Sequence, residues 1–196
     1  MIRHSNALME QGEILDTFRS CGAFLEGHFI LRSGRHSRVF FQCAKVLQYP
    51  SLAEKLCQAL AKRIRDDNFS HVISPALGGL LVGHEIARAL KKPHFFAEKK
   101  DGRFAVRRFE IAPGMKFLVA EDVVTTGSAV NEVIQIVREA GAQITGVACL
   151  VCRSEEEEVP DWGVPFYYLL RLPTETFSAD ELPADLRAVP AVKPGS

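Results

Sequence analysis

The chain has 196 residues, with 24 basic and 24 acidic side chains, so its formal net charge at pH 7 is zero. With 47% hydrophobic and 24% charged residues, its composition is that of an ordinary globular protein, which excludes general disorder. The neutral balance argues against nucleic-acid binding, since neutralising phosphates takes a basic surplus or a clustered basic stripe. At roughly 150 residues per domain, the length predicts a single domain.

The sequence also bears on where the protein works. No uncharged apolar run approaches the ~18 residues that a membrane helix requires. The first residues carry Glu10, Glu13 and Asp16 where the apolar core of a signal peptide would lie. The five cysteines are an odd number in apolar surroundings, which favours a reducing compartment. We therefore expect a cytoplasmic protein that does not associate with membranes.

Strand-like and helix-like segments alternate along the chain. A helical spacing of apolar residues at 6–20 is followed by two strand-like stretches, at 23–31 and 37–42. A helix is expected at 50–65, and then strands at 71–74, 94–98, 116–120 and 144–151 alternate with helices at 80–90 and 129–140. This order predicts an α/β fold in which a central parallel sheet is flanked by helices and ligands bind at the carboxyl ends of the strands.

The strongest functional signal is the segment FLVAEDVVTTGSAV at 117–130. Two adjacent carboxylates, Glu121 and Asp122, stand where an apolar strand ends, and the small hydroxylated turn 125–128 then opens a helix. Because N–H groups at a helix N-terminus favour an anion, a phosphate fits this turn. The carboxylates suit hydroxyl groups or a cation, so a ribose 5-phosphate satisfies both halves. An acidic N-cap at an ordinary helix is the alternative.

Two further segments lie at predicted carboxyl ends of strands. The loop 74–79, SPALGG, would let backbone approach an anion at a helix N-terminus, although its glycines could instead serve close helix packing. The segment 99–108 is basic and could neutralise a diphosphate leaving group, although a charge run is usually a solvated face.

The segment 117–130 resembles the signature of the type I phosphoribosyltransferases, which use phosphoribosyl pyrophosphate. It lacks the lysine of a P-loop, which excludes a Walker nucleotide site. Segments 27–41, 74–83 and 95–108 extend the resemblance over residues from about 10 to 155 and narrow it to the members that act on orotate. The resemblance implies one domain, 1–196, with a small hood at about 1–45, an α/β core at about 50–170 and a polar tail at about 180–196.

The resemblance also implies a reaction and a site. The reaction would transfer ribose 5-phosphate from phosphoribosyl pyrophosphate to orotate, giving orotidine 5′-phosphate and pyrophosphate in pyrimidine biosynthesis. Catalytic roles would fall to Lys100 and Asp122. Binding of phosphoribosyl pyrophosphate would involve Lys99, Lys100, Arg103, Glu121, Asp122, Val123, Val124, Thr125, Thr126, Gly127, Ser128 and Ala129. The pyrophosphate loop would be Ala76, Leu77, Gly78 and Gly79, and orotate would meet Arg32, Phe40, Phe41, Thr125 and Arg153.

The base site has a chemical rationale, because a flat ring with a carboxylate suits an apolar platform and a guanidinium. Consecutive strand residues face opposite ways, so only one of Phe40 and Phe41 need touch the ring, and the other is expected in the core. Three residues depart from the family pattern, and the first is Arg32, which stands where the family has a lysine. Ser74 replaces a usual glycine, and Lys99 replaces an arginine, which removes a bidentate fork.

The resemblance further implies Mg²⁺ held mainly by the substrate, and a homodimer in which the basic loop reaches the partner's active site. We expect no metal site built from protein side chains, because the histidines lack ligand spacing and Cys149 and Cys152 should face opposite sides of a strand. Ser154 and the glutamates after it are expected to begin a helix. Two alternatives stay open: another nucleobase as acceptor, or a ligand-sensing regulator without turnover.

Overall fold

The computed structural model describes residues 9–31, 33–65, 68–154 and 159–194, and the fold is built from two sheets and their helices. The helices are α1 (Gln11–Ser20), α2 (Cys43–Leu47), α3 (Pro50–Ala61), α4 (Gly78–Leu90), α5 (Ser128–Glu139) and α6 (Ala184–Arg187). The strands are β1 (Phe24–Ile30), β2 (His36–Phe41), β3 (His71–Pro75), β4 (His94–Lys100), β5 (Arg103–Ala105), β6 (Lys116–Val124), β7 (Gln143–Cys152), β8 (Phe166–Arg171) and β9 (Thr176–Phe177).

The larger sheet has the strand order β5-β4-β3-β6-β7-β8, and each neighbouring pair is parallel except β4 with β5. An apolar cluster that includes Leu56 of α3 and Ile86 of α4 covers one face. A second cluster, with Val130 and Val133 of α5, covers the other face. The predicted α/β architecture is confirmed, and burial on both faces explains why the central strands are nearly continuous apolar runs.

The smaller sheet, β1-β2-β9, is antiparallel and forms the hood. Its third strand comes from near the chain's end, and residues beyond it pack on the hood as well. The Nδ1 of His28 donates to the Val189 carbonyl at 2.8 Å, and the Ile30 N–H donates to the Val192 carbonyl at 2.9 Å. Much of the segment expected as a polar tail therefore holds the hood strand β1.

Several boundaries differ from the sequence prediction. Strand β6 continues to Val124 because β7 pairs with it along its whole length, so the acid pair lies inside the strand rather than after it. The segment expected as a basic loop is partly a hairpin of β4 and β5. Its turn residues Asp101 and Gly102 have φ of 52° and 83°, as the two-residue turns that match strand twist require. No helix in the described part of the chain is long and apolar enough to cross a bilayer.

The packing of α4 on the sheet gives a first prediction. A Cβ at Gly83 would lie 2.5 Å from His94 Nε2 and 2.8 Å from Ser74 Cβ. We expect Gly83→Ala to lower the free energy of unfolding by about 1–3 kcal/mol through overpacking, measured by urea denaturation. The matched control is Gly12→Ala in α1, where a Cβ would meet nothing within 4 Å, so stability should stay level or rise by about 0.4–1 kcal/mol. Equal stabilisation by both substitutions would contradict this account of the packing.

Candidate active site

The acid pair lies at the carboxyl end of β6, against the N-terminus of α4. Glu121 is only 6% exposed, and its Oε1 accepts the N–H of Asp122 at 3.0 Å. Asp122 is half-buried, and its Oδ1 accepts the N–H of Val123 at 2.8 Å. A Cβ at Gly78 would lie 2.9 Å from Asp122 Oδ1, and one at Gly79 would lie 2.9 Å from Glu121 Oε1. The two glycines therefore let the loop before α4 approach both carboxyl groups, as close backbone approach requires.

The two carboxyl groups are not equivalent. Burial, and then the neighbouring charge of Asp122, raises the pKa of Glu121 well above its ordinary value. A carboxyl group that keeps its proton can donate one hydrogen bond and still accept others, whereas an ionised one only accepts. Burial thus favours the neutral form of Glu121, and the pair presents carboxyl oxygens that suit vicinal sugar hydroxyls.

Directly after the acid pair, the turn 125–128 leads into α5. Gly127 is the N-cap residue, with φ of 70°, and a Cβ there would lie 2.8 Å from the Trp162 ring. A side chain at this position would thus be both strained and obstructed. The hydroxyl-bearing Thr125, Thr126 and Ser128 are exposed, at the end of a 12-residue helix whose free N–H groups favour an anion. The turn is suited to holding a phosphate.

Ser154 makes a contact that the sequence did not predict. Its hydroxyl donates to the carbonyl of Thr125, which ties the turn 125–128 to the end of β7. The helix expected to follow Ser154 falls on 155–158, outside the described residues. Neither this contact nor the Trp162 contact behind Gly127 has a local sequence signal, because both partners come from distant parts of the chain.

The loop expected to bind pyrophosphate runs along the same edge. The N–H of Ala76 donates to the carbonyl of Ala97 at 2.7 Å, and Leu77 is 84% exposed. Ser74, which replaces the family glycine, is fully buried, with its Oγ 2.8 Å from His94 Nε2. Burial, with a smaller effect of His84, lowers the pKa of His94 to about 4, so this imidazole is neutral near pH 7. The Ser74 side chain is thus engaged below the loop.

The basic hairpin separates its cations into two groups. Strand pairing sets Lys100 opposite Arg103 and Lys99 opposite Phe104, so the two lysines face opposite sides. All three cations, Lys99, Lys100 and Arg103, are exposed, and Lys99 Nζ lies 5.0 Å from the centroid of the Phe104 ring. Because β4 continues beyond its pairing with Pro75, the hairpin projects past the carboxyl edge of β3. Lys100 and Arg103 together form a cationic pair that can meet one phosphate.

The hood and β7 meet at Arg153. Its N–H donates to the Val124 carbonyl at 2.9 Å, its Nη2 lies 3.3 Å from Ser37 Oγ, and its Nε is buried without a partner among the described residues. Burial lowers the pKa of this guanidinium. Within the described part of the chain no acidic group pairs with this largely buried guanidinium, and burial of an unpaired charge is costly.

The two phenylalanines expected at the base site differ in burial. Phe41 is buried and packs against Phe18 and Phe24, with ring centroids 5.6 and 5.0 Å apart. Phe40 is half-buried, with its ring 5.9 Å from that of Phe29. Phe41 is thus the core member of the pair, while Arg32 lies outside the described residues.

The two cysteines of the C-x-x-C motif correct an expectation. Leu150 and Val151 both belong to the first apolar cluster, so the alternation along β7 is interrupted there. Cys149 and Cys152 consequently lie in the same second cluster, not on opposite sides. Burial raises the pKa of both thiols, which disfavours the thiolate that metal binding requires. Among the described residues no group of three or more His, Cys, Asp or Glu is placed to hold a metal ion.

Comparison with known proteins identifies the family. A family model described as "Phosphoribosyl transferase domain" matches residues 45–176. The orotate phosphoribosyltransferase of Desulforamulus reducens is 46% identical over 189 residues, covering 96% of this chain and 98% of that protein. That of Rhizorhabdus wittichii is 48% identical over 192 residues, covering 96% and 97%. A crystal structure of orotate phosphoribosyltransferase from Aeropyrum pernix aligns with a TM-score of 0.71 at 27% identity, covering 81% of this chain and 93% of that chain.

The chain therefore belongs to the phosphoribosyltransferase family, in the branch of its orotate phosphoribosyltransferase relatives.

The raised pKa of Glu121 predicts a pH-dependent stability. The folded state binds this proton more tightly than the unfolded chain, so the group's contribution is favourable at low pH and is lost as the pH rises above the ordinary Glu pKa. Glu121→Gln removes the titration, so its melting temperature relative to wild type should be higher at pH 8 than at pH 5. Glu139→Gln, at an exposed position, is the control and should show no such change between the two pH values. A pH-independent difference for Glu121→Gln would contradict the raised pKa.

Proposed function

We propose that the chain transfers ribose 5-phosphate from phosphoribosyl pyrophosphate to orotate, giving orotidine 5′-phosphate and pyrophosphate in pyrimidine biosynthesis. The observation that carries the proposal is one sheet edge where a phosphate-binding turn, an acid pair and a largely buried guanidinium lie on neighbouring strands β6 and β7. A sugar phosphate alone would not need Arg153. An anionic base would supply the negative counter-charge that this guanidinium lacks among the described residues. The 46–48% identity to relatives of that name over 96% of the chain supports the same substrate.

The ribose 5-phosphate half of the substrate would be held by β6 and α5. The N–H groups and hydroxyls of the turn 125–128, with Val123, Val124 and Ala129 shaping its ends, receive the 5-phosphate. Glu121 and Asp122 receive the ribose hydroxyls. In this arrangement the anomeric carbon would lie between the loop before α4, where pyrophosphate would leave, and Arg153, where orotate would enter.

The reaction is a displacement at the anomeric carbon, in which the bond to the pyrophosphate oxygen breaks and a bond to a ring nitrogen of orotate forms. Positive charge develops on the ribose ring and negative charge on the departing pyrophosphate. Orotate arrives as an anion, so the protein contributes mainly positioning and electrostatic stabilisation. Lys100 and Arg103, paired across the hairpin, neutralise the pyrophosphate, while Lys99 lies on the opposite face of the hairpin.

Mg²⁺ suits this donor set, since the ion keeps several waters and usually takes only one or two protein carboxylates along with substrate phosphates. Asp122, half-buried at the edge, is the carboxylate available to it, and most of its ligands would be pyrophosphate and ribose oxygens. When bound, the ion offsets the charge of the pyrophosphate.

A homodimer is part of the proposal, because the hairpin carrying Lys100 projects from the core and could serve a neighbouring subunit's site. Leu77 and Leu81, one helical turn apart at the start of α4, are 84% and 49% exposed and give an apolar surface for such contact. We place the protein in the cytoplasm, which the five free cysteines support.

The cationic pair on the hairpin gives a kinetic prediction. Lys100→Ala removes charge stabilisation of the leaving group, so kcat should fall by about 10²–10³, as for other lost transition-state contacts, while KM for phosphoribosyl pyrophosphate changes little. Lys62→Ala removes an exposed lysine just after α3 and is the matched control. Steady-state rates with both substrates varied would measure this. An unchanged kcat would remove Lys100 from the mechanism.

The proposed substrate is tested by following orotate absorbance with phosphoribosyl pyrophosphate and Mg²⁺, with adenine, hypoxanthine and uracil as parallel acceptors. Orotate consumption that needs both other components supports the proposal. Turnover with another base alone would keep the phosphate-binding turn but overturn the role given to Arg153. Tight binding of phosphoribosyl pyrophosphate without turnover of any base would favour a ligand-sensing regulator.

A further inference from the structure

Ser37, in the hood strand β2, is fully buried and polar. Its Oγ donates to the carbonyl of Val39 at 2.9 Å and lies 3.3 Å from the Nη2 of Arg153, where it can accept a hydrogen bond. A hydroxyl has one donor and two acceptor positions, so both contacts can exist together. Ser37 thus joins the hood to the end of β7 through the arginine side chain.

The backbone of Arg153 is held on both sides of the residue. Its N–H donates to the Val124 carbonyl at 2.9 Å, and its carbonyl accepts the N–H of Thr174 at 3.2 Å. Its long side chain has several rotatable bonds, and fixing them costs entropy unless a partner holds the guanidinium. Ser37 is such a partner, while the Nε of Arg153 is buried without one among the described residues.

A second arginine of the same region shows why a hydroxyl suits this place. Arg38, the neighbour of Ser37 in sequence, is half-buried, and its Nε and Nη2 donate to the Asp185 carboxylate at 2.8 and 3.0 Å. Its charge is neutralised in a link to the C-terminal segment. Ser37 instead orients Arg153 with a neutral group, which leaves the positive charge for a bound anion.

We infer that Ser37 is a positioning residue for base recognition, which aims the Arg153 guanidinium at the carboxylate of the acceptor base. This inference rests on the proposed transfer to orotate and goes beyond it, because Ser37 would act on the base only through the Arg153 side chain. It predicts that losing the hydroxyl weakens orotate binding selectively, since the phosphate turn and the acid pair lie on β6 and α5 and do not depend on Ser37.

The experiment compares Ser37→Ala and Ser37→Thr with wild type. Ser37→Ala should raise KM for orotate about tenfold, as expected for one lost hydrogen bond to a charged group, while kcat and KM for phosphoribosyl pyrophosphate stay at wild-type values. Ser37→Thr keeps the hydroxyl on a β-compatible side chain and should restore orotate affinity. The control is Thr145→Val at the far end of β7, which removes a hydroxyl that donates to the Phe117 carbonyl at 3.4 Å.

Positioning through Arg153 is tested by repeating Ser37→Ala in an Arg153→Ala background, with calorimetric dissociation constants for orotidine 5′-phosphate, a measurement that needs no turnover. In that background Ser37→Ala should have no further effect on affinity, because coupled residues are not additive. An equal loss in both backgrounds, an unchanged orotate KM in Ser37→Ala, or a parallel loss of kcat, both KM values and melting temperature would overturn the inference. Those results leave the proposed function standing, whereas wild-type protein that fails to consume orotate overturns both.

Discussion

The site depends on the parallel pairing of β6 and β7, two strands buried between apolar clusters on both faces. Their pairing continues to Val124 and Cys152 and then passes into the hydrogen bond from the Arg153 N–H to the Val124 carbonyl. Parallel strands end at the same edge of a sheet. The register of β6 and β7 therefore sets the relative positions of the acid pair, the turn 125–128 and the Arg153 guanidinium. A shift of this register by one residue would turn Glu121 and Asp122 to the opposite faces.

The same edge is also where the fold tolerates unfavourable interactions. Burial raises the pKa of Glu121, and burial leaves Arg153 with an unpartnered Nε among the described residues. Close approach of Gly78 and Gly79 to the carboxyl groups requires residues that have no side chain. Each arrangement is costly in the free protein, and in the proposed site hydroxyls, phosphate and an anionic base would supply the missing partners. Such trade-offs between stability and activity are expected at functional sites.

The hood is connected to the core in two ways that differ in charge. Towards the C-terminal segment the polar groups are paired within the protein. Arg38 binds Asp185, and β1 binds the backbone of Val189 and Val192. Towards the site the contact is a hydrogen bond to a neutral group, since the Ser37 hydroxyl binds the Arg153 guanidinium without neutralising its charge. The hood therefore binds the C-terminal segment through an ion pair and backbone hydrogen bonds, and it meets the guanidinium at the end of β7 through a neutral hydroxyl.

The sequence alone determined the α/β alternation, the phosphate-binding turn and the acid pair, because apolar periodicity, adjacent carboxylates and a Thr-Thr-Gly turn are local patterns. It also located Lys100 and Arg103 in a basic segment. The tertiary structure decided what depends on distant pairing. It showed that strand pairing separates Lys99 from Lys100, that Phe41 belongs to the core, and that Ser154 holds Thr125. Ser37 contacts Arg153 across 116 positions of sequence. No local pattern can encode this contact, because it exists only where the hood packs on the sheet in the folded chain.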